Sequence, residues 1–350
     1  YRNKLEYSFS NRKWLIDGAP AGTHDEEAVK GFGYHLPGLF DRVIDIEKCY
    51  LQQEPSNAIR LFIKDFTLEH KLSYYNVRAH EGLMRNVVIR CNGKGEFMVI
   101  VVINEENDLV RNVMIPELQK RFPEIISIML VINNKFNDII TDLPFENVYG
   151  EECLIETMKA PREGHDDLKF RVGPVSFFQT NVYQGERLYK AAFDLADVQG
   201  DELMYDLYTG TGTIALYFAR FVKKVVGVEY VEEAIADAKI NSEFNNINNV
   251  KFYAGDMARV FTDEFIESNG RPDLVVTDPP RAGMHEKVVE QLLKIQPKKI
   301  VYISCNPATQ ARDLQLLDSS YEVKAVQPVD MFPHTHHVEN IVLLELKVEN

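Results

Sequence analysis

The sequence predicts an α/β protein, with a parallel, doubly wound sheet in the second half of the chain and a mixed α/β domain before it. Three observations carry this expectation. Short apolar runs at residues 203–208, 224–228, 250–253, 274–277 and 300–304 alternate with helix-length segments. The first run leads into Thr209-Gly210-Thr211-Gly212-Thr213, a glycine turn of the kind that joins such a strand to its helix. The first half mixes strand and helix patterns without that alternation. A chain of 350 residues accommodates two domains, placed at 1–175 and 176–350.

In the first half, residues 1–9 alternate polar and apolar side chains as a strand does, with Arg2, Lys4, Arg12 and Lys13 clustered there. Residues 18–33, rich in Gly, Pro and charge, read as a turn region. Ile59, Phe62, Ile63 and Phe66 have helical spacing within 58–71. Residues 86–90 and 97–103 read as strands around Asn92-Gly93-Lys94-Gly95, a hairpin. A helix at 115–122 and a buried strand at 125–132 follow. Arg78, Arg85 and Arg90 read as solvated surface arginines in preference to phosphate contacts. After the five parallel strands come 321–326 and 337–346, with only a short segment between them, so the last strand is expected as an antiparallel insertion.

Hydrophobic content of 45% and charged content of 26% are ordinary for a soluble globular protein. No apolar run approaches the roughly 18 residues of a membrane helix, and no signal peptide is visible. The four cysteines, Cys49, Cys91, Cys153 and Cys305, form no CxxC pair, which points to neither a disulfide framework nor a zinc site and favours the cytoplasm. A net charge of −14 argues against a protein held on nucleic acid mainly by phosphate neutralisation, although it leaves room for a nucleic-acid enzyme with a local basic surface.

The chemistry gathers where strands end. Val301-Tyr302-Ile303-Ser304-Cys305-Asn306-Pro307 runs from a strand into a turn, with Pro307 at a first helical position. Cys305 is thus expected beside a helix N-terminus, whose partial positive charge favours thiolate against an unperturbed pKa of about 8.5. A lone cysteine is more often inert and buried; the neighbouring motifs reverse that. Gly210 and Gly212 permit close backbone approach by a ligand, and Glu229 ends the next strand, where an acid binds ribose hydroxyls in nucleotide-binding folds. This spacing does not separate NAD from S-adenosylmethionine. Thr277-Asp278-Pro279-Pro280-Arg281 ends the fourth strand, so Asp278, Cys305 and Gly210 are expected in one crevice beyond the strands' carboxyl ends. Phe332-Pro333-His334-Thr335-His336-His337-Val338-Glu339-Asn340 offers histidines to a metal, but adjacent side chains of an extended chain diverge, and the better reading is that the segment delivers Glu339.

Taken together these residues resemble the uracil-5-methyltransferase family of RNA modification enzymes, most closely its bacterial 23S rRNA members. The likeness runs the length of the chain, from Tyr1-Arg2-Asn3-Lys4 through Gly173-Pro174-Val175-Ser176-Phe177-Phe178-Gln179-Thr180-Asn181. Its most specific part is the ordered set Asp278-Pro279-Pro280-Arg281, Ser304-Cys305-Asn306-Pro307 and His337-Val338-Glu339-Asn340. The resemblance implies a Rossmann-like class I methyltransferase domain with a seven-stranded, mostly parallel sheet. It implies Cys305 as nucleophile and Glu339 as base. Gln179, Tyr208, Glu229 and Asp278, with the Gly210 and Gly212 turn, would line the S-adenosylmethionine and uracil pocket, and Asp256 would sit near the adenine. Phe177 and Phe178 are candidates for stacking on the base. Members of the family carry a small RNA-binding β-barrel ahead of the point where this chain starts, and some hold a [4Fe–4S] cluster with a ligand at the position of Cys49; both are expected only of a longer chain. RNA is the implied partner, with no protein partner and no membrane. Three other functions remain open: a tRNA uracil-5-methyltransferase, an NAD-dependent oxidoreductase on the same glycine turn, and a non-catalytic RNA-binding factor.

Overall fold

The computed structural model describes residues 1–14 and 29–348. It divides into two compact units, Tyr1–Leu154 with Gly173–Val175, and Ile155–Val172 with Ser176–Asn350.

The first unit contains β1 (Lys4–Ser10), β2 (Gly31–Leu36), β3 (Leu39–Ile44), α1 (Ser56–Glu69), β4 (Met84–Cys91), β5 (Phe97–Ile103), α2 (Ile115–Arg121), β6 (Ile125–Ile132) and β7 (Glu146–Gly150). Its strands form one sheet in the order β3-β2-β1-β4-β5-β6-β7. The pairing is antiparallel except between β5 and β6. β5 is apolar and buried along its whole length, as a central strand covered on both faces must be. α1 turns Ile59, Ile63 and Phe66 into the same core. Of the expected turn region, residues 18–28 lie outside the described residues. Gly31 and Gly33 belong to β2 instead: Phe32 stacks on Phe9 with centroids 3.9 Å apart, and a Cβ on Gly33 would lie 1.9 Å from the Ile44 carbonyl oxygen.

Two of the three arginines also depart from expectation. Arg78 is at the surface, bound to Asp41. Arg85 and Arg90 are buried. Arg85 donates to the carbonyls of Asn133 (2.7 Å), Lys135 (2.5 Å) and Asn137 (2.9 Å) and to the Asp138 carboxylate, and it lies 4.0 Å from the Tyr75 ring centroid. Both terminal nitrogens of its guanidinium are spent on knotting a loop to the sheet, not on a phosphate. Cys49 is buried with its thiol 3.4 Å from the Tyr34 hydroxyl. Among the described residues no group of three or more His, Cys, Asp or Glu side chains is placed to hold a metal ion. The described residues therefore assemble no cluster site.

The second unit takes nearly all of a two-stranded ribbon, β8 (Leu154–Met158) and β9 (Leu168–Val172), of which Leu154 alone belongs to the first. The sequence places residues 155–172 with the first domain, whereas they pack with the second. Met158, Leu168, Phe170 and Val172 enter its core, and the Asn245 and Asn241 side chains accept from the backbone N–H of Lys169 and Arg171, both at 2.8 Å. Then follow α3 (Val182–Ala196), β10 (Leu203–Leu207), α4 (Thr213–Ala219), β11 (Lys224–Glu229), α5 (Glu232–Phe244), β12 (Val250–Ala254), α6 (Met257–Val260), α7 (Asp263–Asn269), β13 (Leu274–Thr277), α8 (Glu286–Ile295), β14 (Lys299–Ser304), α9 (Pro307–Leu317), β15 (Tyr321–Val329) and β16 (Glu339–Leu346). The sheet order is β12-β11-β10-β13-β14-β16-β15, parallel from β12 to β14. β16 is inserted antiparallel between β14 and β15, as expected.

Strand alternation builds two cores. Met204, Val276, Val301, Ile303, Ile341 and Leu343 face one, shared with α3 and α4. Tyr205, Val275, Ile300, Tyr302, Val342 and Leu344 face the other, shared with α8. No helix among the described residues is long and apolar enough to cross a membrane.

Arg85→Ala is expected to leave the buried Asn133 carbonyl unsatisfied, to release those of Lys135 and Asn137, and to destabilise the first unit by about 3 kcal/mol, since an orphaned buried group costs roughly 1–3 kcal/mol. Urea unfolding followed by a probe in that unit measures this. An unchanged midpoint would mean that Arg85 is not the knot described.

Candidate active site

The site is assembled at the carboxyl ends of β13 and β14 and the start of β16. Antiparallel register pairs Ser304 with Asn340, so Cys305 and Glu339 stand at the next step of the ladder. Both continue the alternation that turns Val301, Ile303, Ile341 and Leu343 toward α3, and Asp278 continues it from Val276. One buried side chain locks this register. Gln310 of α9 donates to the carbonyls of Tyr302 (2.9 Å) and Asn340 (3.2 Å), and its own carbonyl accepts from the Asn340 side chain at 2.7 Å. Asn306 caps α9 by accepting from Ala308 N–H at 3.2 Å, and it also donates to the Arg281 carbonyl at 3.0 Å. Thr309 donates to the same carbonyl at 3.1 Å. The chain after Pro280 is thus fastened to the helix that follows Cys305.

The electrostatics correct one expectation. The Cys305 thiol is pushed up from its ordinary pKa, first by burial, then by the Glu339 and Asp278 carboxylates. The Arg281 side chain, close enough to hydrogen-bond the thiol, opposes this without reversing it. The helix N-terminus is where the sequence predicts, and burial and the acids facing the thiol act against the ionised form that it favours. Glu339 is itself pushed up to about 8, mainly by burial and then by Asp278. Burial raises Asp278 to about 7. Tyr189 of α3 is also raised by burial; it is hydrogen-bonded to Gln179 and lies within the fields of Asp278, Asp206 and Glu339.

The glycine turn forms a second cluster. Tyr208, Gly210 and Gly212 all have positive φ, at 67°, 54° and 79°. A Cβ on Gly212 would meet Ala238 and Phe252 at 3.0 Å, whereas one on Gly210 would meet no atom within 4 Å. Gly212 is therefore required by packing, and Gly210 faces open space. One Glu229 oxygen accepts from Gly210 N–H and the other from Val231 N–H, both at 3.1 Å. Lone pairs on each oxygen stay available to a ligand. Asp256 caps α6 by accepting from Ala258 N–H at 2.9 Å. Tyr208 and Asp256 line a cleft of about 710 Å³ together with Met257, Met284 and Asp313; Gly210, Glu229 and Cys305 are not among its walls. Tyr208 links the clusters, because it also senses the Glu229 charge.

Other expected residues divide. Phe178 is buried against Phe170, so it belongs to the core, while Phe177 is 68% exposed. The Phe177 carbonyl accepts from Thr211 of the glycine turn at 3.3 Å. The segment before β16 is a turn and not an extended chain: His334 has φ 68°, and the His336 and His337 ring centroids lie 4.3 Å apart, so the two side chains do not diverge. Asn181 and Gln184 at the start of α3 hold this segment by donating to the carbonyls of Met331 (2.8 Å) and Asp330 (3.1 Å). Two residues escape the sequence reading. Asp206 is fully buried, raised by burial to about 7 and hydrogen-bonded by Thr209; a lone acid inside an apolar strand is its only sequence signal. Gln310 gives no signal, since its burial depends on three separate elements.

Residues 154–347 match the profile of the tRNA (uracil-5-)-methyltransferase family. The chain belongs to the RNA uracil-5-methyltransferase family. An uncharacterized RNA methyltransferase of Bacteroides thetaiotaomicron is 52% identical over 99% of this chain and 76% of its own length. A second, from Porphyromonas gingivalis, is 48% identical over 100% and 75%. Among solved structures, the tRNA (uracil-54, C5)-methyltransferase of Pyrococcus abyssi, in complex with S-adenosyl-L-homocysteine, superposes with a TM-score of 0.76 at 31% identity, over 98% of this chain and 75% of that one. The fold is thus that of a Rossmann-like methyltransferase, and the chain is an RNA methyltransferase.

The raised carboxyls make the stability of this methyltransferase depend on pH. Glu339 and Asp278 keep protons in the folded state that they lose when unfolded, from about pH 4 up to their folded values near 8 and 7. Stability from these groups is therefore greatest below pH 4 and falls as pH rises through 5 to 8, by up to about 1.4 kcal/mol per pH unit for each group. Glu339→Gln is expected to flatten this slope, as read from urea midpoints between pH 5 and 8. An equally steep slope in the variant would show that Glu339 is not raised.

Proposed function

We propose that this methyltransferase transfers a methyl group from S-adenosylmethionine to carbon 5 of a uridine in 23S rRNA through a covalent adduct with Cys305. The observation that carries the reading is the meeting of a thiol and a partly buried acid, Cys305 and Glu339, across one strand pair.

The residues fit the methyl donor. Gly210 opens onto free space, Glu229 offers acceptors to ribose hydroxyls, and Tyr208 and Asp256 line a cleft within the usual 300–1,000 Å³ of a small-molecule site. Gln179 and Asp278 complete the set from the side of the base. S-adenosylmethionine supplies the electrophilic methyl carbon of its sulfonium.

Carbon 5 of uracil is a weak nucleophile. Cys305, as thiolate, adds to carbon 6, and the displaced electron pair runs through carbon 5 to the carbon 4 oxygen. Arg281 is the cation at the thiol that favours this ionised form. Carbon 5 would then attack the methyl carbon as the sulfonium–methyl bond breaks, its electron pair staying on the sulfur of the departing S-adenosylhomocysteine. Glu339 removes the carbon 5 proton, the C–H electrons re-form the ring double bond, and the Cys305 sulfur leaves as thiolate. Glu339 must be ionised for that step, so its raised pKa places rising activity on the alkaline side of neutrality. The base must be turned out of any stack to be reached from both faces, and Phe177, exposed beside the glycine turn, is the residue to receive it. The four free thiols and an RNA substrate support a cytoplasmic enzyme.

The choice of 23S rRNA rests on the motif likeness to the bacterial members that modify it. The tRNA alternative is favoured by one observation, that the Pyrococcus abyssi structure is of an enzyme for tRNA uracil-54. Incubating the protein with S-adenosylmethionine and either 23S rRNA or bulk tRNA, then mapping 5-methyluridine, decides between them. The expected product is in 23S rRNA, and Cys305→Ala should abolish it. Product in tRNA alone would overturn the substrate, and full activity of Cys305→Ala would overturn the nucleophile.

A further inference from the structure

The outer strand of the first unit's sheet, bridged along its edge by residues 12–14, carries a surface unlike the rest of this acidic chain. β3 is the outermost strand, and Phe40 and Arg42 on it are exposed. The Arg42 guanidinium lies over the Trp14 ring, 5.8 Å from its centroid, and Arg78 lies over Phe40 at 5.3 Å. Arg12 and Arg78 converge on Asp41 at 2.9 and 2.6 Å, and the Asp41 side chain is only 6% exposed. The loop that carries Arg78 continues to His80, whose ring centroid is 4.3 Å from that of Phe136. Phe40 and Phe136 are 64% and 76% exposed. Three cation–aromatic or ring–ring contacts are thus carried by β3 and by the loop that runs from Arg78 to His80.

Two features choose the partner. In a chain of net charge −14, two arginines here close on one acid, Asp41, which is tucked beneath them and neutralised, and a third, Arg42, is exposed on the same strand against Trp14. Phe40 and Phe136 remain largely exposed beside these partners, at a cost in exposed apolar area that free surfaces rarely carry without an interaction to justify it. Flat rings and guanidinium planes take unstacked bases, and cations between them take the phosphates. We propose that this row is a docking surface for an unpaired stretch of the RNA substrate. The proposal rests on the reading of the chain as an RNA methyltransferase.

The test measures binding of a fluorescently labelled 12-nucleotide single-stranded RNA of mixed sequence, and of a 12-base-pair RNA duplex, to the whole chain. Phe40→Ala with Phe136→Ala is expected to weaken single-strand binding about tenfold or more, at unchanged melting temperature and unchanged affinity for S-adenosylhomocysteine. Phe40→Trp with Phe136→Trp should retain it. Arg42→Ala should make the salt dependence of log K shallower by about 0.7, the slope that one phosphate contributes on a single strand. Photo-cross-linking of 4-thiouridine RNA to the unaltered protein should label peptides containing Trp14, Phe40 or Phe136, which keeps the test open if the double variant does not fold. A folded alanine pair that binds as the parent does, or cross-links confined to other peptides, would overturn the proposal and leave this face to a protein partner. Absence of RNA binding by the parent chain would overturn the RNA reading itself, and the docking surface with it.

Discussion

The pairing of β14 with β16 is the constraint on which the site depends. A strand inserted antiparallel at this point brings the start of β16 back to the carboxyl end of β14, where parallel strands deliver their reactive side chains. Side chains alternate across a sheet, so a slip of one residue would turn Glu339 to the opposite face from Cys305. Gln310 penalises that slip, because its amide bonds to the backbone of β14 and to both the backbone and side chain of Asn340. The same helix is capped by Asn306, which holds the chain after Pro280 and so the position of Arg281. A register, a buried amide and a helix cap together fix the residues of the proposed reaction.

The acids concentrated on one face of this sheet give the site its character. Asp206, Asp278 and Glu339 are each raised chiefly by burial, and the Asp278 charge adds to the shift of the other two. Ionising Asp278 makes its neighbours, and the thiol, harder to ionise. Near pH 7 the free protein therefore favours a neutral thiol and a mostly protonated Glu339, with Asp206 and Asp278 each about half ionised. That arrangement avoids several unpaired charges in a poorly solvated crevice, and it leaves proton transfer at Cys305 and Glu339 to be driven by the substrate.

Local pattern makes much of this legible in the sequence. The five parallel strands announce themselves by apolar runs, the turn at Gly210 by its glycines, and Cys305, Glu339 and Asp278 by ordered motifs at strand ends. What stays hidden depends on elements distant in the chain. Arg85 looks like any surface arginine until the loop at 133–138 folds over it. Residues 155–172 carry no mark of the unit they join, because Asn241 and Asn245, some 70 residues later, clamp their backbone. The direction of the Cys305 shift is hidden for the same reason: the helix N-terminus is adjacent in sequence, whereas Glu339 and Asp278 arrive through strand pairing.

The central claim is that Cys305 and Glu339 act on one uracil in succession, the first making a bond and the second allowing it to break. The most direct measurement uses Glu339→Gln with S-adenosylmethionine and substrate RNA, resolved by denaturing electrophoresis and mass spectrometry. A stable protein–RNA species should accumulate, linked through Cys305 and heavier by one methyl group than protein and RNA alone, and it should be absent from Cys305→Ala. Normal turnover by Glu339→Gln with no such species, or the same adduct in Cys305→Ala, would contradict the account.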